Sequence, residues 1–209
     1  MSKGDAVDRN IVITFDNYLT NEFIKLSQKI NNKIPSKILL NKIDEIPHLT
    51  LYMAKYPEKN IAKVLNKLNK ILSSIKCFEL TFNSKSCQSS GTVFIEAVIT
   101  NELYKLHEDL VNILNPLREG LYNEDELKLP GLTKKKKISL INYGMRAVKR
   151  DYVPHVSIAR VNPEQYSQSV LKNLPQKINY KTIVEKISFV IRGHDGACKK
   201  ILHTIKLNK

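Results

Sequence analysis

Pro47-His48-Leu49-Thr50-Leu51 and Pro154-His155-Val156-Ser157-Ile158 are two copies of one five-residue phrase. In each, an imidazole is followed two places later by a hydroxyl residue inside an apolar stretch. Alternate side chains of an extended strand share a face, so His48 and Thr50 should point the same way, about 6.6 Å apart along the chain, as should His155 and Ser157. Two such pairs suit in-line cleavage of a phosphodiester. One imidazole takes the nucleophile's proton and the other protonates the leaving oxygen, both near neutral pH. Thr50 and Ser157 supply donors for the charge that builds on the non-bridging oxygens, and they do so without adding charge of their own. The reaction asks for no metal and no cofactor, and the sequence offers no His/Asp/Glu cluster with metal-ligand spacing.

A His-x-Ser/Thr pair by itself is weak evidence, because hydroxyl residues are common. The shared frame carries more: both copies have Pro before the histidine, an apolar residue between the pair and an aliphatic residue after it. His107, His194 and His203 lack the pattern, having Asp109, Gly196 and Ile205 at the same offset. A lone strand histidine is more often structural than catalytic, and Thr50 or Ser157 alone reads as ordinary strand content. The matched pair reverses that balance.

The elements that must position these residues can be read from periodicity. Ile11 to Phe15 reads as a strand after a flexible tail at residues 1–10, and Thr20 to Asn32 as a helix stopped by Pro35. A strand then carries Leu49, Leu51 and Met53 toward Pro57. Ile61, Val64, Leu65, Leu68, Ile71 and Leu72 give the three-and-four spacing of an amphipathic helix. Phe78 to Phe82 and Val93 to Val98 read as a hairpin. The order then replays: a helix over Leu103 to Leu114 ended near Pro116, strands around Tyr152 to Val161, Val184 to Ile191 and Ile201 to Leu207, and a short helix after Pro163. The expectation is one α+β domain over residues 11–209, duplicated and bilobal, with lobes of about 11–100 and 101–209 around a central cleft.

Between the halves lies the segment 119–137, acidic at Glu124, Asp125 and Glu126, broken by Pro130-Gly131, and ending in Lys134, Lys135, Lys136 and Lys137. It reads as a charged surface loop beside the cleft, with the four lysines as candidate contacts to a substrate backbone and a solvated linker as the plainer alternative. Tyr143 and Tyr152 are candidates to stack a base or line the groove, although packing roles are commoner for tyrosine.

With 34 Lys+Arg against 20 Asp+Glu, the chain carries +14, which favours polyanionic partners through counterion release. RNA or a small nucleotide is the expected substrate, and the protein is expected to act as a monomer. Cys77, Cys87 and Cys198 are odd in number and lack C-x-x-C spacing, which argues against a disulfide framework or zinc cluster. No signal-like apolar core or run of ~18 apolar residues is present. A cytoplasmic protein without membrane contact is expected.

Paired H-x-T/S phrases on strands of a bilobal α+β chain resemble the two-histidine phosphoesterase superfamily, including LigT-like RNA 2′,3′-cyclic phosphodiesterases (2′-5′ RNA ligases). The likeness rests on His48 with Thr50 and His155 with Ser157. It implies two antiparallel sheets facing a basic cleft with helices outside, both histidines toward a phosphate and both hydroxyls bonding it. Arg160 stands where such proteins often carry an arginine after the second phrase, whereas the first phrase continues Tyr52-Met53-Ala54. The implied activity is hydrolysis of 2′,3′-cyclic phosphates at RNA ends or in small nucleotides. The alternatives are cleavage of 2′-5′-linked or cyclic oligonucleotides, or a low-turnover nucleotide- or RNA-binding module on the same fold.

Overall fold

The computed structural model describes residues 5–129, 131–166 and 169–209. Its strands are β1 Ala6–Thr14, β2 His48–Pro57, β3 Phe78–Cys87, β4 Thr92–Ala97, β5 His155–Arg160, β6 Tyr180–Val184, β7 Lys186–Arg192 and β8 Cys198–Lys206. The helices are α1 Asn17–Asn31, α2 Ile61–Leu72, α3 Asn101–Leu114, α4 Lys134–Tyr143 and the single turn α5 Pro163–Tyr166. Local chemistry sets the helix starts, since Asp16, Thr100 and Thr133 each accept a backbone N–H of the first turn. In α2 the buried residues Val64, Leu68 and Leu72 form one stripe, as the spacing requires.

The strands form two four-stranded antiparallel sheets, in the orders β2-β1-β7-β8 and β5-β4-β3-β6. The fold class is the expected α+β pair of sheets. One core serves both, and at its centre Phe15, Phe23 and Phe82 meet edge to face at 5.2–5.7 Å, joining the end of β1, α1 and β3.

Three expectations need correction. The lobes are not 11–100 and 101–209, because each sheet takes two strands from each half of the chain. Glu185 alone separates β6, which pairs with β3, from β7, which pairs with β1, so the chain changes sheets there. The tail expected at residues 1–10 is strand from Ala6 onward. The ten residues of β2 give it partners as far back as Ala6↔Pro57, and its polar positions are engaged, Asp8 by Arg192 and Asn10 by the Gly196 carbonyl. Residues 1–4 and Pro130 lie outside the described residues.

The third correction concerns the charged segment. It holds a 3₁₀ turn at Glu124–Lys128, and the four lysines form the first turn of α4 rather than the end of a loop. Four consecutive lysines mask the helical period. The signals that do mark the helix are its ends, Thr133 as N-cap and Gly144, in the left-handed region at φ 74°, as the residue that closes it.

Candidate active site

The two histidine phrases are built alike to the level of single hydrogen bonds. Nδ1 of His48 lies 2.8 Å from the carbonyl of Ile46, and Nδ1 of His155 lies 2.7 Å from the carbonyl of Val153. In both cases the acceptor is two residues upstream, across the proline that fixes the intervening backbone. A carbonyl only accepts, so Nδ1 carries the hydrogen and the neutral ring keeps its lone pair on Nε2.

The strands carry the same irregularity at the same place. In β2 the ladder steps from Val12↔Thr50 to Ile11↔Tyr52 and skips Leu51; in β5 it steps from Phe94↔Ser157 to Val93↔Ala159 and skips Ile158. Each phrase therefore ends in a β-bulge just after its hydroxyl residue, and both strands show the burial order half-buried, buried, half-buried, buried, buried. His48 and Thr50 share one half-buried face, and His155 and Ser157 share another. β2 and β5 are edge strands of their sheets and lie against each other.

Both imidazoles have pKa values below the ordinary histidine range. For each, burial is the main cause. At His48 the backbone acceptors Ile46 and Gly196 oppose it. At His155 the Val153 carbonyl opposes it, the charge of His48 adds to the lowering, Glu96 raises and Arg146 lowers. The charges of the two imidazoles thus act on each other across the facing strands.

The surroundings of His155 carry little signal in the sequence. Glu96 sits directly across from it in the β4–β5 ladder and accepts from the Ser84 hydroxyl (3.2 Å) and the Ser86 hydroxyl. Phe94, one row along, stacks on the imidazole with ring centres 3.8 Å apart. The only signal for either was alternation in Thr92-Val93-Phe94-Ile95-Glu96, which puts Thr92, Phe94 and Glu96 on one face.

Arg160 pairs with Thr92 as Ser157 pairs with Phe94, and the extra residue at the Ile158 bulge shifts the alternation so that Arg160 lies on the same face as Ser157. Met53 holds the matching place in β2, opposite Asn10. Tyr152 does not line the groove. It is 5% exposed, its hydroxyl donates to the Thr50 carbonyl at 2.8 Å, and its ring lies on His107. Tyr143 is half-buried against the core, accepts from the Tyr52 hydroxyl through its carbonyl, and has the Lys149 ammonium 5.1 Å from its ring centre. Lys134 to Lys137 are exposed, and Lys135 pairs with Asp151 at 2.6 Å. Among the described residues no group of three or more His, Cys, Asp or Glu side chains is placed to hold a metal ion, and no helix is long and apolar enough to cross a membrane.

A model of the 2′-5′ RNA ligase superfamily matches residues 43–196, a span that includes both phrases. No curated protein matches the chain by sequence. Among solved structures, TT0787 of Thermus thermophilus is 14% identical with a TM-score of 0.62, covering 96% of this chain and 98% of that one. E. coli LigT in apo form is 12% identical with a TM-score of 0.61, covering 99% and 100%, and it has also been solved with phosphate and with 3′-AMP. The MHV ns2 PDE domain is 13% identical with a TM-score of 0.53, covering 96% and 99%. At these identities the structures establish a common fold.

Proposed function

The chain belongs to the 2′-5′ RNA ligase superfamily, and from that premise we propose that it is a phosphodiesterase that opens 2′,3′-cyclic phosphates at RNA ends or in small nucleotides. The observation that carries this reading is the matched pair of imidazoles, each fixed through Nδ1 to the backbone carbonyl two residues upstream.

In the proposed reaction Nε2 of one neutral histidine takes a proton from water as its oxygen attacks phosphorus in line. The other histidine, protonated on Nε2, gives its proton to the departing ribose oxygen. The bond to that oxygen breaks, and a phosphomonoester and a free hydroxyl result. By resemblance to LigT-like proteins the product is the 2′-phosphate. Thr50 and Ser157 donate to the non-bridging oxygens, where charge grows in the transition state. Arg160, beyond Ser157 on the same face, adds a cation. The occupation of LigT by 3′-AMP in one of its structures supports a nucleotide as the substrate class.

The test is turnover of adenosine 2′,3′-cyclic monophosphate, and of an oligoribonucleotide ending in a 2′,3′-cyclic phosphate, by purified protein with a chelator present. Phosphorus NMR of the product distinguishes the 2′- from the 3′-phosphate. Hydrolysis that survives the chelator and yields one regioisomer is expected. Failure to turn over either substrate, or activity that the chelator abolishes, overturns the reading.

A further inference from the structure

The first phrase has Met53 where the second has Arg160, so the sheet that carries His48 lacks an in-strand cation at that place. The segment joining α4 to β5 carries an arginine of its own. It lies across β2: Tyr52 donates its hydroxyl to the Tyr143 carbonyl (2.7 Å), Lys149 donates its N–H to His107 (2.8 Å), and Tyr152 reaches the Thr50 carbonyl. Gly144 permits the close crossing, since a Cβ there would stand 3.1 Å from the Arg118 side chain and 3.5 Å from the Cα of Ala54.

Arg146 lies within this strap. Its Nε is 3.1 Å from Glu126 Oε2, while its side chain remains 45% exposed. Glu126 is buried, and its other oxygen is bound by Arg192 of β7, which also faces Asp8 of β1 at 3.8 Å. The carboxylate is thus shared by two guanidinium groups, of which one is enclosed and the other reaches solvent. Buried ion pairs seldom stabilise a fold enough to offset their desolvation, so a buried carboxylate that orients a half-exposed arginine suggests a purpose beyond stability. Arg146 is also close enough to His155 to act on its charge.

We propose that Arg146 is a binding residue for the substrate phosphate, approaching it from the strap beside His155, and that Glu126, anchored by Arg192, is the positioning residue that aims it. The guanidinium is tethered through Nε, which leaves the Nη edge to meet phosphate oxygens in the geometry arginine favours. The charged segment is then part of the site through its acidic member. This rests on the phosphodiesterase reading for the identity of the anion, but its test does not depend on turnover.

The experiment is calorimetric titration of the protein and its variants with adenosine 2′-monophosphate, which carries the phosphate but cannot react. Arg146→Ala is expected to weaken binding about 10-fold or more, Arg146→Lys by less, and Glu126→Gln by a few-fold, in line with the loss of one charge-assisted contact. The His155 ring, followed by NMR, feels the charges of His48, Glu96 and Arg146; removing Arg146 takes away a cation, so its pKa should rise in Arg146→Ala and recover in Arg146→Lys. A purely structural role would lower the unfolding temperature without this recovery. Binding by Arg146→Ala equal to the parent's, or no binding by the parent, overturns the proposal. If binding depends on Arg146 while cyclic phosphates are not hydrolysed, the phosphodiesterase reading fails and the anion site stands; if hydrolysis proceeds and binding ignores Arg146, the reverse holds.

Discussion

His107 and Tyr152 lie ring on ring, 3.8 Å between centres and 5° between planes. Each holds a neighbouring carbonyl of the β2 bulge: Nδ1 of His107 donates to Leu51 at 2.6 Å, and the Tyr152 hydroxyl donates to Thr50 at 2.8 Å. A bulge leaves its extra residue outside the ladder, so these bonds replace those the strand cannot make. Tyr152 is three residues before His155, and the strut therefore ties the first phrase to the backbone that presents the second.

Tyr152→Phe is expected to cost about 1 kcal/mol of stability, the net worth of one hydrogen bond. Tyr152→Ala should cost roughly 3–5 kcal/mol, because it also empties a buried aromatic site. Urea unfolding measures both. A tyrosine that merely lined a groove would raise KM and leave stability alone, so unchanged unfolding in Tyr152→Ala would reject the strut.

His107 gives the fold a pH dependence of definite sign. It is fully buried, donates through Nδ1 and accepts the Lys149 N–H through Nε2, so only the neutral ring fits both bonds. Burial, the main cause, holds its pKa below the ordinary histidine value. The unfolded chain then binds more protons than the folded one, and stability is lost as pH falls through about 6.5, the unfolded value, toward the lowered folded one. His48 and His155 add to the same slope. His107→Gln, followed by urea unfolding from pH 8 to pH 5, should be less stable at pH 8 and show a shallower loss on acidification. An unchanged slope would remove His107 from this account.

Much of this arrangement was legible in the sequence, and the rest was hidden for physical reasons. The two phrases could be matched because period-2 alternation fixes which side chains share a face. The paired bulges at Leu51 and Ile158 could not be foreseen, since aliphatic residues fit regular and bulged strands equally well. Glu96, Phe94 and Arg146 were missed because their place beside His155 or in the strap depends on what lies across a ladder or over a strand, which spacing does not record. Tyr152, a candidate for the groove with packing as the commoner role, packs in the core, and spacing could not decide this because an aromatic residue near a histidine phrase can face either way. The sheet exchange at Glu185 was obscured because β6 and β7 are nearly continuous in sequence.

If both imidazoles transfer protons, His48→Ala and His155→Ala should each lower kcat by ~10²-fold or more while the fold persists. The profile of kcat/KM should be bell-shaped, since one ring must be neutral and the other protonated. Both rings titrate below the usual value, so both limbs should fall on the acid side of about pH 6.5. Wild-type rates in either variant, or a rate that rises monotonically with pH, would reject paired acid-base catalysis.

Thr50→Ala and Ser157→Ala should cost less than the histidine changes, on the order of 10-fold to 10³-fold in kcat/KM, because the remaining hydroxyl still holds the phosphate. The double variant should lose more than either single one. Steady-state kinetics on adenosine 2′,3′-cyclic monophosphate decides this, and two silent single variants would return both hydroxyls to ordinary strand content.

The lysines of the first turn of α4 make the last prediction. Four cations at a helix N-terminus oppose the helix dipole, so changing Lys134, Lys135, Lys136 and Lys137 to Ser should leave stability little changed or slightly higher. If the turn grips an RNA backbone, the variant should cleave a cyclic-phosphate-ended oligomer less well and with a flatter salt dependence, because fewer counterions are released on binding. A mononucleotide has no extended backbone to reach the turn, so its hydrolysis should be nearly unchanged. Lys135 complicates this through its pairing with Asp151, four residues before His155, which ties α4 to the second phrase. Lys135→Ser alone should therefore be compared with the triple change of Lys134, Lys136 and Lys137, using kcat/KM for both substrates at two salt concentrations. A selective loss on the oligomer in the triple variant supports backbone contact; equal losses on both substrates confined to Lys135→Ser make that lysine a brace for the site; no loss in any variant leaves all four as solvated surface.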